Sequence, residues 1–313
     1  MTDEVRAAPA TDPAIVTQGL SKSFGTTAAV QAVDWTVDRG SIHGLVGSNG
    51  AGKTTMLKML LGTTRPGAGS GTVMGSDIRT GSGAIRARTA FVPEDKLVFE
   101  RYRVSEFVSL YRRPFPDWEA ALADRMLAAW EIPERRRVRD LSKGMRAKLL
   151  LTVALARRPR LLLMDEPTLD LDPASVDEIY ALLAEWVADG EHTIVISTHR
   201  LEEVERMCDS VSIMTGGRIV EGGDLDDLRE RWKQLDVVGP LPDDIERRPG
   251  VEAVRRDRHV ATIVVSRGAG DLADTLRSEG RQVDIIPVNL RRIYLTAIRH
   301  EKGRLDGVLQ SLA

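Results

Sequence analysis

The stretch Gly47-Ser48-Asn49-Gly50-Ala51-Gly52-Lys53-Thr54-Thr55 has the types and spacing of a phosphate cradle, G-x-x-x-x-G-K-[ST]. Glycines let a backbone curl so that successive N–H groups converge on phosphate oxygens, and a following helix adds the positive end of its dipole. Lys53 is suited to the outer phosphates and the Thr54 hydroxyl to Mg²⁺. A second group of chemistry-bearing residues ends an apolar run, Leu161-Leu162-Leu163-Met164-Asp165-Glu166-Pro167. Such a run predicts a buried parallel strand. It would deliver two carboxylates to the strand's C-terminal edge, where ligands bind in open α/β sheets. Asp165 is suited to hold a hard cation, and Glu166 to polarise a water aimed at a phosphate.

These groups need elements to position them. Ser41–Val46 reads as a short buried strand before the glycine loop, and Thr54–Leu61 as a helix ending at Gly62. Upstream, Ile15–Val37 alternates apolar residues around Gly25-Thr26-Thr27, which predicts two antiparallel strands. Arg65–Gly71 reads as a turn-rich connector before a short strand at 72–74, and 90–92 as a strand stopped by Pro93. Helical spacing dominates 104–156, where Val104, Phe107, Val108 and Tyr111 recur on one face. A helix over 175–187, a strand over 193–197, a helix over 201–208 and a hairpin around Thr215-Gly216-Gly217 follow. Glu221-Gly222-Gly223 reads as an interruption. Beyond a helix at 224–232, the pattern suggests a small separate unit of strands (251–254, 261–265, 283–286) and helices (271–277, 290–299), with a boundary near 234–240.

The chain has 313 residues, 42% hydrophobic and 29% charged, with a formal net charge of −2, so bulk charge gives no case for nucleic acid as a partner. Cys208 is the single cysteine, which excludes an internal disulfide. No stretch reaches the roughly 20 apolar residues of a membrane span, and Met1–Pro13 reads as a loose tail without the pattern of a signal peptide.

Leu141-Ser142-Lys143-Gly144-Met145 lies ahead of the acidic strand and opens a helix, for which Ser142 is a natural cap. With this segment placed between the phosphate loop and the carboxylates, the chain resembles an ATP-binding cassette (ABC) transporter ATPase subunit from about Ile15 to Gly223. The family signature is Leu-Ser-Gly-Gly-Gln. The variant here resembles those of separately encoded, exporter-type bacterial subunits. The resemblance implies a P-loop NTPase α/β fold: a mixed core sheet, an antiparallel β subdomain and a helical subdomain. We assign residues 1–13 to a tail, 14–234 to the nucleotide-binding domain and 235–313 to a small α/β C-terminal domain. The latter resembles accessory extensions of exporter cassettes through 288–295.

The resemblance also implies site residues. ATP would be held by Phe24 stacking on adenine, by Gly47, Ser48, Asn49, Gly50, Ala51, Gly52, Lys53, Thr54 and Thr55, and from a second subunit by Ser142 and Gly144. Mg²⁺ would be held by Thr54 and Asp165, with Glu94 standing where the family usually has glutamine. Glu166 and His199 would be catalytic, and Asp172 would lie in the loop crossing between subunits, where Leu169-Asp170 replaces the usual Ser-Gly. Implied partners are a membrane-spanning permease and a second cassette, which places the chain in the cytoplasm on the inner face of the membrane. The rival reading is a non-transport cassette acting in translation or DNA repair. Against it, the chain carries one phosphate loop and neither a long coiled-coil insert nor a zinc motif.

Overall fold

Alternation of apolar residues produces two long antiparallel strands, β1 (Ile15–Phe24) and β2 (Thr27–Val37), joined through Gly25 with φ +57°. The computed structural model describes residues 12–94, 100–257 and 259–299; most of the tail at 1–13 lies outside them. A fully buried strand, β3 (Ile42–Val46), runs through the glycine loop into α1 (Lys53–Leu60). β4 (Ala68–Val73) returns to pair with β1, and β5 (Ser76–Asp77) pairs with β4. The result is a four-stranded antiparallel sheet of order β2-β1-β4-β5. After α2 (Ser82–Arg88) and β6 (Thr89–Val92) come the helices α3 (Val104–Arg112), α4 (Ala120–Ala129) and α5 (Lys143–Leu155). Then follow β7 (Leu161–Asp165), α6 (Pro173–Val187), β8 (Thr193–Thr198), α7 (Leu201–Met207), the hairpin β9 (Ser210–Thr215) and β10 (Arg218–Asp224), and α8 (Leu225–Arg231).

The second sheet has order β10-β9-β3-β8-β7-β6 and is parallel except for β10. Its central strands are covered on both faces, which is why they read as continuous apolar runs. Leu162 and Met164 of β7 point into the core shared with α3, α4 and α5, while Leu161 and Leu163 point into the core under α1 and the antiparallel sheet. The parallel register sets Asp165 opposite Ser197, and Val46 opposite Thr198. β8 therefore brings its own end between the glycine loop and the two acids.

The C-terminal unit comprises β11 (Lys233–Val238), β12 (Val251–Arg256), β13 (Val260–Val265), α9 (Ala269–Ser278), β14 (Gln282–Pro287) and a helix over 290–299 (α10). Its sheet is antiparallel, order β12-β13-β11-β14, with α9 packed on one side over Leu235, Val237 and Ile263. The other side joins Val264, Val288, Leu290 and Ile293 to Val46, Val204, Val211, Leu225, Leu228 and Trp232 in one core that spans both units.

Three sequence expectations differ from the structure. The glycine-rich connector at 67–71 is mostly strand: a Cβ on Gly69 would lie 2.3 Å from Gly19 O, so small residues mark close backbone approach to β1. Glu221-Gly222-Gly223 continues β10 across a register shift between Ile219 and Glu221. The stretch 234–238, expected at a boundary, is an inner strand of the C-terminal sheet, hydrogen-bonded on both edges to β13 and β14. Leu235 and Val237 face α9, while Asp236 between them faces Thr262 and receives a hydrogen bond from its hydroxyl at 3.1 Å.

Trp232 is almost fully buried where the two units meet, and its indole N–H donates to Glu221 Oε2 at 3.0 Å. Trp232→Ala removes a large core side chain and leaves a cavity, so equilibrium urea unfolding should show a loss of about 3–5 kcal/mol. A loss below about 1 kcal/mol would contradict the shared core.

Candidate functional site

The site is assembled at the C-terminal edge of β3, β8 and β7. The glycine loop is fixed first. Gly47 N–H donates to Thr198 O at 3.2 Å, and a Cβ on Gly47 would sit 2.3 Å from Met214 O. Gly52 takes φ +108°, and a Cβ there would meet Ala29 O at 2.3 Å. Any larger residue at either position would push the loop off the β9–β10 hairpin or off β2. Gly50, with φ +82°, meets nothing within 4 Å and leaves the loop's outer surface open. The first intrahelical bond of α1 runs from Met56 N–H to Gly52 O, and no side chain caps the helix. The N–H groups of Lys53, Thr54 and Thr55 thus precede the helical ladder, at the positive end of the dipole. Ser48 and Asn49 are exposed, and Ala51 is buried with its N–H donating to Ser48 O.

The charged groups converge on this loop. Lys53 Nζ donates to Gly47 O at 2.7 Å and lies 3.3 Å from Glu166 Oε1; both side chains are about 6% exposed. Glu166 Oε2 lies 2.9 Å from His199 Nδ1. Its other oxygen, Oε1, is buried and accepts no hydrogen bond. Glu166 takes φ +45°, a left-handed conformation costly for a non-glycine residue, and is held there by its N–H donating to Ser197 O at 2.8 Å. Asp165 receives Thr54 Oγ1–H at 2.6 Å on Oδ2 and the Ser197 hydroxyl at 2.5 Å on Oδ1. Thr54 and Asp165 are a pair of hard oxygen donors, the set a small divalent cation takes. The uncapped helix start and Lys53 likewise suit a phosphate chain, and the orphaned Glu166 oxygen suits a donor such as water. Glu94 stands exposed two residues past β6 at the same sheet edge and makes no hydrogen bond or ion pair with Thr54 or Asp165.

Phe24 is 54% exposed at the end of β1, with Lys22 Nζ 5.1 Å from its ring centroid. It is an exposed aromatic ring rather than a core side chain. The signature segment is not joined to the phosphate loop of its own chain. Ser142 caps α5 by accepting Met145 N–H at 3.1 Å, and Gly144 lies against Ser175 of α6. Two departures from the family pattern meet each other: Lys143 Nζ is 2.7 Å from Asp170 Oδ2, with both side chains well exposed. Asp172 caps α6 through Ser175 N–H and hydroxyl, which hold its carboxyl below the usual carboxylate range.

Sequence reading passed over a buried network behind the site. Glu203 of α7 accepts Thr168 Oγ1–H at 2.6 Å and Thr198 Oγ1–H at 3.1 Å, and pairs with Arg200 at 2.7 Å. It thereby ties the segment after Glu166 to the segment before His199. A buried Glu on an amphipathic helix carries no local signal; only the polar ending of the β8 run, Ser197-Thr198, hinted at it. His43, by contrast, is a core residue of β3: burial depresses it to about 3, and it contacts Ser210, Ser212 and Trp35. Burial also raises the Cys208 thiol, aided by Asp209 and Glu203, which keeps it protonated and unreactive.

No helix among the described residues is long and apolar enough to cross a membrane. A sequence profile of the ABC transporter family matches residues 30–169. The chain is similar to Nod factor export ATP-binding protein I of Ralstonia nicotianae, 33% identical over 299 residues, covering 90% of this chain and 93% of that protein. It is also similar to ABC transporter ATP-binding protein YtrB of Bacillus subtilis, 28% identical over 88% of this chain and 95% of that protein. Among solved structures, the ATP-binding subunit of an ABC transporter superposes with TM-score 0.63 at 31% identity, covering 69% of this chain and 92% of that one. The chain thus belongs to the ABC transporter family as an ATP-binding, ATP-hydrolysing subunit.

Proposed function

We propose that this chain drives export through a separately encoded membrane permease, and that it works as one of two cassettes closing on Mg·ATP. The observation that carries the site assignment is the convergence of Lys53, Glu166 and His199 within hydrogen-bonding or ion-pairing distance, beside the Thr54–Asp165 pair. Export is supported by the Nod factor export relative, which aligns over nearly the whole chain. The lack of a spanning helix among the described residues supports a peripheral role at the cytoplasmic face, reached through the permease.

In this reading, Phe24 stacks on adenine and the N–H groups of 50–55 receive the phosphates. Lys53 turns from Gly47 O toward the outer phosphate oxygens. Mg²⁺, when bound, neutralises charge on the β- and γ-phosphate oxygens, and Thr54 and Asp165 would hold it. Glu166 orients a water for in-line attack on the γ-phosphorus; the β–γ bridging oxygen leaves with ADP and the water's proton passes toward the carboxylate. His199, fixed by the same carboxylate, stabilises charge on the transferred group. Ser142 and the Gly144 N–H serve the nucleotide of a second cassette, a role supported by their contacts to Met145 and Ser175 in place of their own phosphate loop. Asp172 and Glu94 are proposed for the contacts with that cassette and with the permease.

Two outcomes follow. Glu166→Gln should slow ATP hydrolysis by about 10²–10⁴-fold while ATP affinity, measured with a fluorescent analogue, stays within twofold. Wild-type turnover would remove Glu166 from the chemistry. Phe24→Ala should weaken ADP binding by about tenfold, as expected for loss of one stacked base, with little change in thermal stability because the ring is exposed. Unchanged affinity would mean the base sits elsewhere.

A further inference from the structure

The two residues proposed for hydrolysis come from the ends of different strands and touch through one side-chain contact, Glu166 Oε2 to His199 Nδ1 at 2.9 Å. The His199 side chain is 41% exposed. One contact at an open edge does not by itself hold two groups at a fixed spacing. Behind them lies a buried carboxylate. Glu203 of α7, Thr168 and Thr198 are all buried. Glu203 Oε1 accepts the Thr168 hydroxyl at 2.6 Å and lies 2.7 Å from Arg200 Nη1, while Oε2 accepts the Thr198 hydroxyl at 3.1 Å. Thr198 Oγ1 in turn accepts the Arg200 N–H at 3.1 Å. His199 is therefore flanked on both sides by residues tied to Glu203, and the same carboxylate holds Thr168, two residues past Glu166. The helix that presents Glu203 is itself anchored. Val204 is buried in one core with Val46 of β3 and with Leu290 and Ile293 of α10, and Glu205 Oε1 accepts the Leu290 N–H at 2.9 Å.

We propose that Glu203 is a positioning residue for hydrolysis. It joins the segments carrying Glu166 and His199 into one rigid unit, so that the carboxylate that orients the water and the imidazole that meets the transferred group keep one spacing. A carboxylate suits this task because it is acceptor-only, with two oxygens able to take three donors at once. A displacement of about 1 Å between reacting groups costs about 10²-fold in rate, so a tether between the two segments acts on the chemical step. Thr168, Thr198 and Arg200 lie outside the glycine loop, so the same tether leaves nucleotide affinity alone. The proposal rests on the hydrolytic roles given above to Glu166 and His199.

The test is steady-state ATP hydrolysis and ADP calorimetry on the full chain. Thr168→Val keeps the side-chain shape and removes one tether, while Arg200 still satisfies Glu203 Oε1. The expected result is a kcat lower by about five- to fiftyfold, with the KM for ATP and the ADP Kd within about twofold of the parent. Thr168→Ser, which returns the hydroxyl, should recover most of the lost kcat. Thr198→Val and Thr198→Ser should repeat this pair of results from the other arm, and they carry the test if Thr168→Val does not fold. Glu202→Ala, on the exposed side of α7, should turn over like the parent. Parental kcat in the valine variants overturns the proposal, as does a loss that serine fails to recover or a loss carried by KM alone. Glu166→Gln separates the two levels. Slow turnover there beside parental kcat in the valine variants overturns the Glu203 tether only, whereas parental turnover in Glu166→Gln overturns the hydrolytic reading beneath it.

Discussion

The contact between Lys53 and Glu166, 3.3 Å apart with both side chains nearly excluded from water, is the constraint around which the site is arranged. Two opposite charges in such a place lose their hydration and are tolerated only when their remaining donors and acceptors are satisfied. Lys53 spends one donor on Gly47 O, and Glu166 spends one oxygen on His199. The other Glu166 oxygen has Lys53 nearby and no hydrogen bond. That residual acceptor, on a backbone held at φ +45°, is the mark of a group positioned for something other than stability.

The fold supplies this arrangement through strand order. Because β8 lies between β3 and β7, its last residues hydrogen-bond to both neighbours: Thr198 O receives Gly47 N–H and Ser197 O receives Glu166 N–H. The phosphate loop is then gripped from its flanks. Ala29 O of β2 closes on Gly52, Met214 O of β9 closes on Gly47, and Gly217 N–H of the hairpin donates to Ala51 O at 3.0 Å. A loop surrounded by backbone atoms at these distances cannot carry side chains at 47 or 52, which is the physical content of the glycine spacing.

Much of this was legible in the chain. The apolar run 161–164 fits a strand buried on both faces, and its ending in two acids placed carboxylates at a sheet edge. What escaped reading depended on neighbours distant in sequence. Gly69 looks like a loop residue until Gly19 is known to lie against it. The strand Lys233–Val238 looks like a linker until β13 and β14 flank it. Glu203 has no local signal at all, because its role comes from Thr168, a contact across 35 residues of chain. The Lys143–Asp170 pair was visible as two separate departures from a pattern, and only their proximity shows that each charge answers the other.

In the proposed mechanism Ser142 and Gly144 serve the nucleotide of another chain. Within this chain their contacts run to Met145 of the same helix and to Ser175 of α6. The account therefore requires a second cassette to complete each site, with ATP bridging the two. The direct measurement is sedimentation equilibrium of the Glu166→Gln chain in saturating Mg·ATP. The mass of two chains is predicted there, with the mass of one chain in Mg·ADP. One-chain mass under both conditions, across the accessible protein concentrations, would contradict it.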